Sequence, residues 1–408
     1  MMKSRRVFLG RTLHLSFASL LSSGCHDDKT VVPGIEVLLT EQTELIRGKR
    51  VGLVTNHTGV DRRLRHNIDL LKSIPEVNLV AVFTPEHGIS GRVQAGQRVN
   101  SDLENRWGIP IFSLYSNTIQ PTAKMLQNVE VLVYDIQDVG SRYYTYLSTL
   151  MNCLKEAGRH NIPFIVLDRP NPLGGLMIEG RTLDLSLRSL VGPAAIPVRY
   201  GLTPGELAHW LKAEMNLKTN LTVVRMHHWK RQYWYNDTGL IWIPPSPNIP
   251  TLKTALVYVG MCLLEGTNVS EGRGTTTPFE VAAAPWIDGR KLAQSMESFR
   301  LPGVTFRNTS FIPSFSKFSG KICQGVQLHV TNRNQFEPIK TVLCLIGHLR
   351  FNYSSYFKWA ESHFDRLAGA KEVRYCIEQG EPVESMLTRW HQKLGEFEIA
   401  RREFFLYS

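Results

Sequence analysis

Glu86 stands in Thr84-Pro85-Glu86-His87-Gly88, directly after the apolar run Asn78–Phe83, where a carboxyl is partly withdrawn from water. Desolvation disfavours the charged form, raises the pKa and lets such a group hold a proton near neutral pH, as a general acid must. The competing reading is a structural carboxylate that caps backbone amides. Asp135, Gln137 and Asp138 precede Arg142 in a second polar cluster, and the four-residue spacing from Asp138 to Arg142 equally allows an internal ion pair. Asp168-Arg169-Pro170-Asn171 offers the same choice, and Asn56-His57 forms a fourth cluster. Arg199 and Arg273 are cations in polar loops, each with a fork suited to a carboxylate. Carboxyl pairs, amides and abundant Tyr and Trp suit a carbohydrate, and cleaving a glycoside usually takes two groups flanking the bond.

Near-continuous apolar runs supply the positions. Arg50–Thr55, Asn78–Phe83, Ile109–Leu114, Val129–Tyr134 and Ile162–Leu167 read as strands buried on both faces. Helical patterns over Arg62–Ser73 and Ser141–His160 separate them, which predicts an α/β fold with a doubly wound, mostly parallel sheet. Ligands of such sheets bind outside the carboxyl ends of the strands, and all four clusters follow strands. No G-x-G-x-x-G follows the first strand and no phosphate loop occurs, so no nucleotide cofactor is expected. Thr203-Pro204-Gly205-Glu206 reads as a helix-capping box, giving Glu206 a structural role. His227-His228 beside Trp229, Tyr233 and Trp234 reads as packed aromatic surface, since it lacks metal-ligand spacing.

Four prolines between Pro244 and Pro250 divide a domain over 33–250 from a smaller α+β domain over 251–408. The second opens with a helix over Leu252–Leu264 and a polar, flexible loop, Glu265–Glu280, that carries Asn268, Ser270, Glu271, Arg273 and Thr275. Gly325–Val330 reads as a strand there, and Ile339–Phe351 and Val383–Phe397 as helices.

A chain of 408 residues with 43% hydrophobic and 20% charged residues is a folded protein, not a disordered one. Its formal charge of +11 is partly local. Lys3, Arg5, Arg6 and Arg11 lie in the first 25 residues, leaving 43 of the 47 basic residues against 36 acids, without a dense basic run. That favours an anionic partner but gives no nucleic-acid motif. Residues 1–25 combine a basic start containing Ser4-Arg5-Arg6-Val7-Phe8-Leu9, a short apolar stretch and Ser22-Ser23-Gly24-Cys25. This predicts a twin-arginine-type export signal to the periplasm or cell envelope, with Cys25 as a lipidation site and any membrane contact made through it. The other five cysteines are widely spaced and mostly apolar in context, so neither a disulfide framework nor a zinc site is expected.

The segments GLVTNHTGVD, FTPEHGISG, YDIQDVGSRYYTYLST, VLDRPNPLGG, PVRYGLTPGELA and EGTNVSEGRGTTTPFE, in that order from about Val51 to beyond Trp286, closely resemble the bacterial exo-β-N-acetylmuramidases of the NamZ type. The resemblance implies a Rossmann-like domain joined to a smaller C-terminal domain, a site between them, and release of N-acetylmuramic acid from non-reducing ends of peptidoglycan fragments. It puts the catalytic acid on Glu86 and further site residues on Asp135, Gln137, Asp138, Arg142, Asn268, Ser270, Glu271, Arg273 and Thr275. Asn56, His57, His87, Asp168, Arg169 and Asn171 complete the expected substrate-binding set. The second catalytic role falls to Asp135, Glu271 or Tyr144. A carboxyl separation of roughly 5–5.5 Å accompanies retention and roughly 6.5–9.5 Å inversion. The substrate's lactyl carboxylate would be held by Arg142, Arg199 or Arg273. The alternatives are a non-catalytic, muropeptide-binding lipoprotein and a hydrolase of wall peptides or esters; no serine elbow or zinc motif supports the last.

Overall fold

A computed structural model describes residues 30–98 and 106–408; the expected export signal and Cys25 lie outside the described residues. Strands β1 (Arg50–Thr55), β2 (Asn78–Thr84), β3 (Ile111–Ser113), β4 (Val131–Asp135), β5 (Phe164–Leu167) and β6 (Leu221–Val224) form one sheet in the order β3-β2-β1-β4-β5-β6. Every pair is parallel. That is the doubly wound, Rossmann-like order, and its direction reverses between β1 and β4. The central strands are buried along nearly their whole length, which is why they read as unbroken apolar runs. Helices α1 (Gly34–Glu41), α2 (Asn67–Lys72), α3 (Ala123–Leu126), α4 (Thr145–Arg159) and α5 (Pro204–Glu214) accompany the sheet. At α5 the Thr203 hydroxyl accepts from the Glu206 amide and the Glu206 carboxylate accepts from the Thr203 amide, closing the expected capping box.

The second half holds an antiparallel sheet, β7-β9-β8, made of β7 (Val281–Ala284), β8 (Val304–Phe311) and β9 (Cys323–Val330). Around it lie α6 (Leu252–Met261), α7 (Gly289–Ser298), α8 (Pro338–Asn352), α9 (Glu361–Ala368), α10 (Lys371–Glu378) and α11 (Val383–Ala400). One hydrophobic cluster runs through both halves, from Phe83 and Leu150 to Leu345 and Trp390. Edge-to-face rings cross the seam: Tyr146 on Tyr144 at 4.7 Å, Tyr144 on Tyr258 at 6.1 Å and Tyr258 on Phe279 at 4.7 Å.

A buried polar knot closes the carboxyl ends of the central strands. Arg169, just past β5, grips Asp135 at the end of β4 with two bonds, Nε to Oδ1 at 2.5 Å and Nη2 to Oδ2 at 3.0 Å. Asn67 Nδ2, at the start of α2, donates to Asp135 Oδ2 at 2.8 Å and to Thr55 Oγ1 at 2.7 Å. Asp135 is wholly buried and Arg169 nearly so. Removing one partner of such a pair strands a charge in low dielectric. Arg169→Met is therefore expected to lower unfolding stability by about 3–5 kcal/mol in denaturant titration; a loss below about 1 kcal/mol would contradict the knot's structural role.

Candidate active site

A cavity of about 420 Å³ opens between the two halves, over the ends of β2 and β3 and the start of α4. Glu86 lies on its wall. Pro85 to Gly88 form a tight turn in which Gly88 N donates to Pro85 O at 3.2 Å and His87 adopts a left-handed φ of 73°. Such strain at a non-glycine residue persists only where packing enforces it. The His87 ring is fixed through Nδ1 to Val93 O at 2.6 Å. Burial lowers the His87 pKa, against the Glu86 charge that would raise it. Glu86 Oε1 accepts from the Gly96 amide at 2.9 Å and Oε2 from the Thr145 hydroxyl at 2.6 Å. Tyr115 lies within hydrogen-bonding reach of Glu86, and burial, reinforced by that carboxylate, pushes its phenol well above the ordinary range.

Charges of alternating sign line the opposite wall. Arg273 Nη1 donates to Glu265 Oε1 at 2.7 Å and to Glu271 Oε1 at 3.2 Å, and Lys317 Nζ donates to Glu271 Oε2 at 2.9 Å. His363 Nε2 stands 3.6 Å from Glu265 Oε2. Burial opposes the charged form of Glu265, but Arg273 and His363 outweigh it and hold the carboxyl down at about 2. Arg273 also lies over the Phe279 ring, 4.7 Å from its centre. Glycine is required at position 272, where φ is +83° and a Cβ would meet the Val281 side chain at 2.4 Å and Thr277 O at 2.8 Å. That turn sets Glu271 and Arg273 side by side.

Of the expected site residues, the cavity brings together Glu86, His87, Tyr144, Glu271 and Arg273. Burial pushes the Tyr144 hydroxyl far above its ordinary pKa, so it is a hydrogen-bond donor and a poor base. The others are framework. Asp135 and Arg169 neutralise each other in the knot, away from the cavity lining. Asn56 holds Thr58 and Tyr146, and His57 Nε2 bonds Pro244 O at 2.7 Å. Gln137 Nε2 donates to the carbonyls of Asp138 and Pro170, while Asp138 caps Val139 and Gly140. Burial pushes Asp138 up to about 6. Asn171 joins Leu173 and Leu202.

The two arginines expected beside Arg273 as carboxylate clamps are spent on main-chain carbonyls. Arg142 donates to Arg181, Ile196 and Leu367, and Arg199 Nη2 to Leu173. Burial lowers both guanidinium pKa values to about 10. In the loop that composition reads as flexible, Asn268 clasps Tyr356 and Lys358, Ser270 accepts from Gly272 and Thr275 donates to Gly272.

Several lining residues escaped the sequence reading: Tyr115, Thr145, Ser246, Asn248, Glu265, Lys317 and His363. Tyr115 follows β3, so the strand-end rule that found Glu86 reaches it as well. Ser246 and Asn248 sit in the proline-rich segment, which the chain uses as cavity wall. Lys317 and His363 carry no local signal. Among the described residues no cluster of His, Cys, Asp or Glu suits a metal, and Cys153, Cys262, Cys323, Cys344 and Cys376 are free.

Asp168 is the most accessible test of this framework role. It accepts from Thr203 Oγ1, the Gly205 amide and Tyr407 Oη at 2.6–2.8 Å. Burial outweighs those bonds and pushes its pKa from 3.8 up to about 7. A carboxyl with a raised folded-state pKa contributes stability that is full below its unfolded value and lost as pH rises through the folded one. Asp168→Asn should therefore flatten the decline in unfolding stability between about pH 4 and pH 7; an unchanged slope would contradict the assignment.

Comparison with known proteins follows the same lines. Residues 51–253 match the family described as exo-beta-N-acetylmuramidase NamZ, N-terminal, and residues 256–407 match its C-terminal counterpart. The chain is 45% identical over 378 residues to the peptidoglycan beta-N-acetylmuramidase NamZ of Bacillus subtilis (strain 168), covering 92% of this chain and 91% of that one. Crystal structures of two DUF1343 family proteins from Bacteroides fragilis NCTC 9343 superpose with TM-scores of 0.87 and 0.77 at 38% and 29% identity. Each covers 93% of this chain, and the matches take in 100% and 99% of theirs. With both halves matched in order and nearly half of the aligned residues identical along nine tenths of its length, the chain belongs to the exo-beta-N-acetylmuramidase NamZ family.

Proposed function

We propose that this protein is an exo-acting peptidoglycan glycosidase that removes β-linked N-acetylmuramic acid from the non-reducing ends of glycan fragments, with Glu86 as the acid. The observation that carries the reading is a buried carboxyl on one wall of a sugar-sized cavity facing an ion-paired carboxylate, Glu271, on the other. Glu86 gives its proton to the glycosidic oxygen as the bond to C1 breaks, and the bonding electrons leave with that oxygen. Glu271 faces the positive charge that develops at C1. One water is consumed: its hydroxide ends on C1 and its proton resets the carboxyl pair.

Arg273 is the cation assigned to the lactyl carboxylate. Its Nη1 serves Glu265 and Glu271, and its side chain is the one arginine among those expected as clamps that lines the cavity. A binding-only wall protein has no need of a carboxyl so placed.

A chromogenic β-N-acetylmuramide tested beside the corresponding glucosaminide decides the substrate. Release from the muramide alone is expected, and no release, or equal release from both, contradicts the reading. Glu86→Gln should retain the fold by circular dichroism and lose ~10²–10⁴-fold in turnover, the usual worth of a positioned acid; near-wild-type turnover removes Glu86 from that role.

We also infer export, from the paired Arg5-Arg6 and the apolar stretch that follows them, with lipidation at Cys25. Cell fractionation should find the protein in the envelope and Arg5→Lys/Arg6→Lys in the cytoplasm; cytoplasmic wild-type protein overturns it.

A further inference from the structure

Lys317 comes from the loop between β8 and β9, forty-six residues along the chain from Glu271, with which it pairs. An ammonium has three donors. Here all three are used: Leu264 O at 2.8 Å, Val269 O at 2.9 Å and Glu271 Oε2 at 2.9 Å. Lys317 therefore lines the cavity without a free donor for a substrate group.

The loop is shaped for this contact. Ser316 and Phe318, on either side of Lys317, both hold left-handed backbone, with φ of 71° and 58°. Non-glycine residues keep such conformations only under constraint from their surroundings. Bonds within the loop close around them, Ser319 N to Ser316 O at 3.3 Å and Lys321 N to Phe318 O at 2.9 Å. Gly274 meets the start of the loop, where its carbonyl accepts from the Ser314 amide and hydroxyl, both at 2.9 Å. A Cβ on Gly274 would lie 2.5 Å from Phe315 O. The turn carrying Glu271 and Arg273 is thus docked directly on the loop carrying Lys317.

We propose that Lys317 is a positioning residue whose saturated ammonium, with Arg273 on the other oxygen, fixes the Glu271 carboxylate on the cavity wall as the standing negative charge of the reaction. This rests on the glycosidase reading above. The charged and titratable groups around Glu271 are Arg273 and Lys317 in contact, with Glu265 and His363 behind Arg273 and Glu86 and His87 across the cavity.

A double-mutant cycle tests it, because residues acting through one another are non-additive. Lys317→Met should lower kcat on the muramide ten- to hundredfold with KM within threefold, and Lys317→Arg should restore part of the loss. In the Glu271→Gln background, Lys317→Met should cost less than threefold more. Multiplicative losses, or a raised KM with kcat intact, overturn the proposal, the latter because it would make Lys317 a substrate ligand. A crystal structure of Lys317→Met gives a readout independent of turnover: Glu271 rotated or disordered supports the proposal, and Glu271 unmoved overturns it. A wild-type protein that leaves the muramide intact would sink the glycosidase reading itself, and the crystal structure would still judge the Lys317–Glu271 contact.

Discussion

The aromatic seam from Tyr146 through Tyr144 and Tyr258 to Phe279 fixes the distance between the two halves, and with it everything the cavity can do. Glu86 belongs to the parallel-sheet half and Glu271, Arg273 and Lys317 to the other. Neither wall makes a site alone. Rings packed edge to face have little room to slide, so the seam holds opposed acids and cations in place before any ligand arrives. The walls already feel each other: the Glu265 charge contributes to raising the Tyr115 phenol, and Arg273 to lowering His87.

The two halves depend on one another at the chain's end too. Arg401 donates to the carbonyls of Gly175, Leu176, Tyr200 and Gly201, and Tyr407 bonds Asp168. Arg142 reaches across to Leu367 O at the end of α9, and Leu367 is part of the cavity wall. Arg142 bonds only carbonyls, and a buried cation of that kind is costly to desolvate, so burial depresses its pKa; Arg401 adds an ion pair with Glu398, yet burial still outweighs it. Here they are the fastenings of the cleft.

The sheet was legible because strands buried on both faces leave uninterrupted apolar runs. β6 was not, since Leu221–Val223 are only half buried on an edge. β8 was missed because its apolar alternation stops after Val304 and Phe306, and Arg307–Ser310 are polar and largely exposed. Glu86 was legible because a strand end dictates where it points. The same rule put Asp135 and Arg169 at the site, whereas they pair with each other off the cavity lining; their partnership spans thirty-four residues and leaves no local pattern. Arg142 and Arg199 were misread because carbonyl acceptors have no sequence signature. Lys317 and His363 reach the cavity only through tertiary folding, so no motif announces them.

The proposed chemistry requires an acid sugar lying between Glu86 and Arg273. The most direct measurement is a crystal structure of a catalytically silent variant holding a β-N-acetylmuramide. The lactyl carboxylate is predicted on Arg273, and the glycosidic oxygen within about 2.6–3.2 Å of side chain 86. A sugar bound the other way round, with its carboxylate in solvent and C1 remote from position 86, would contradict it.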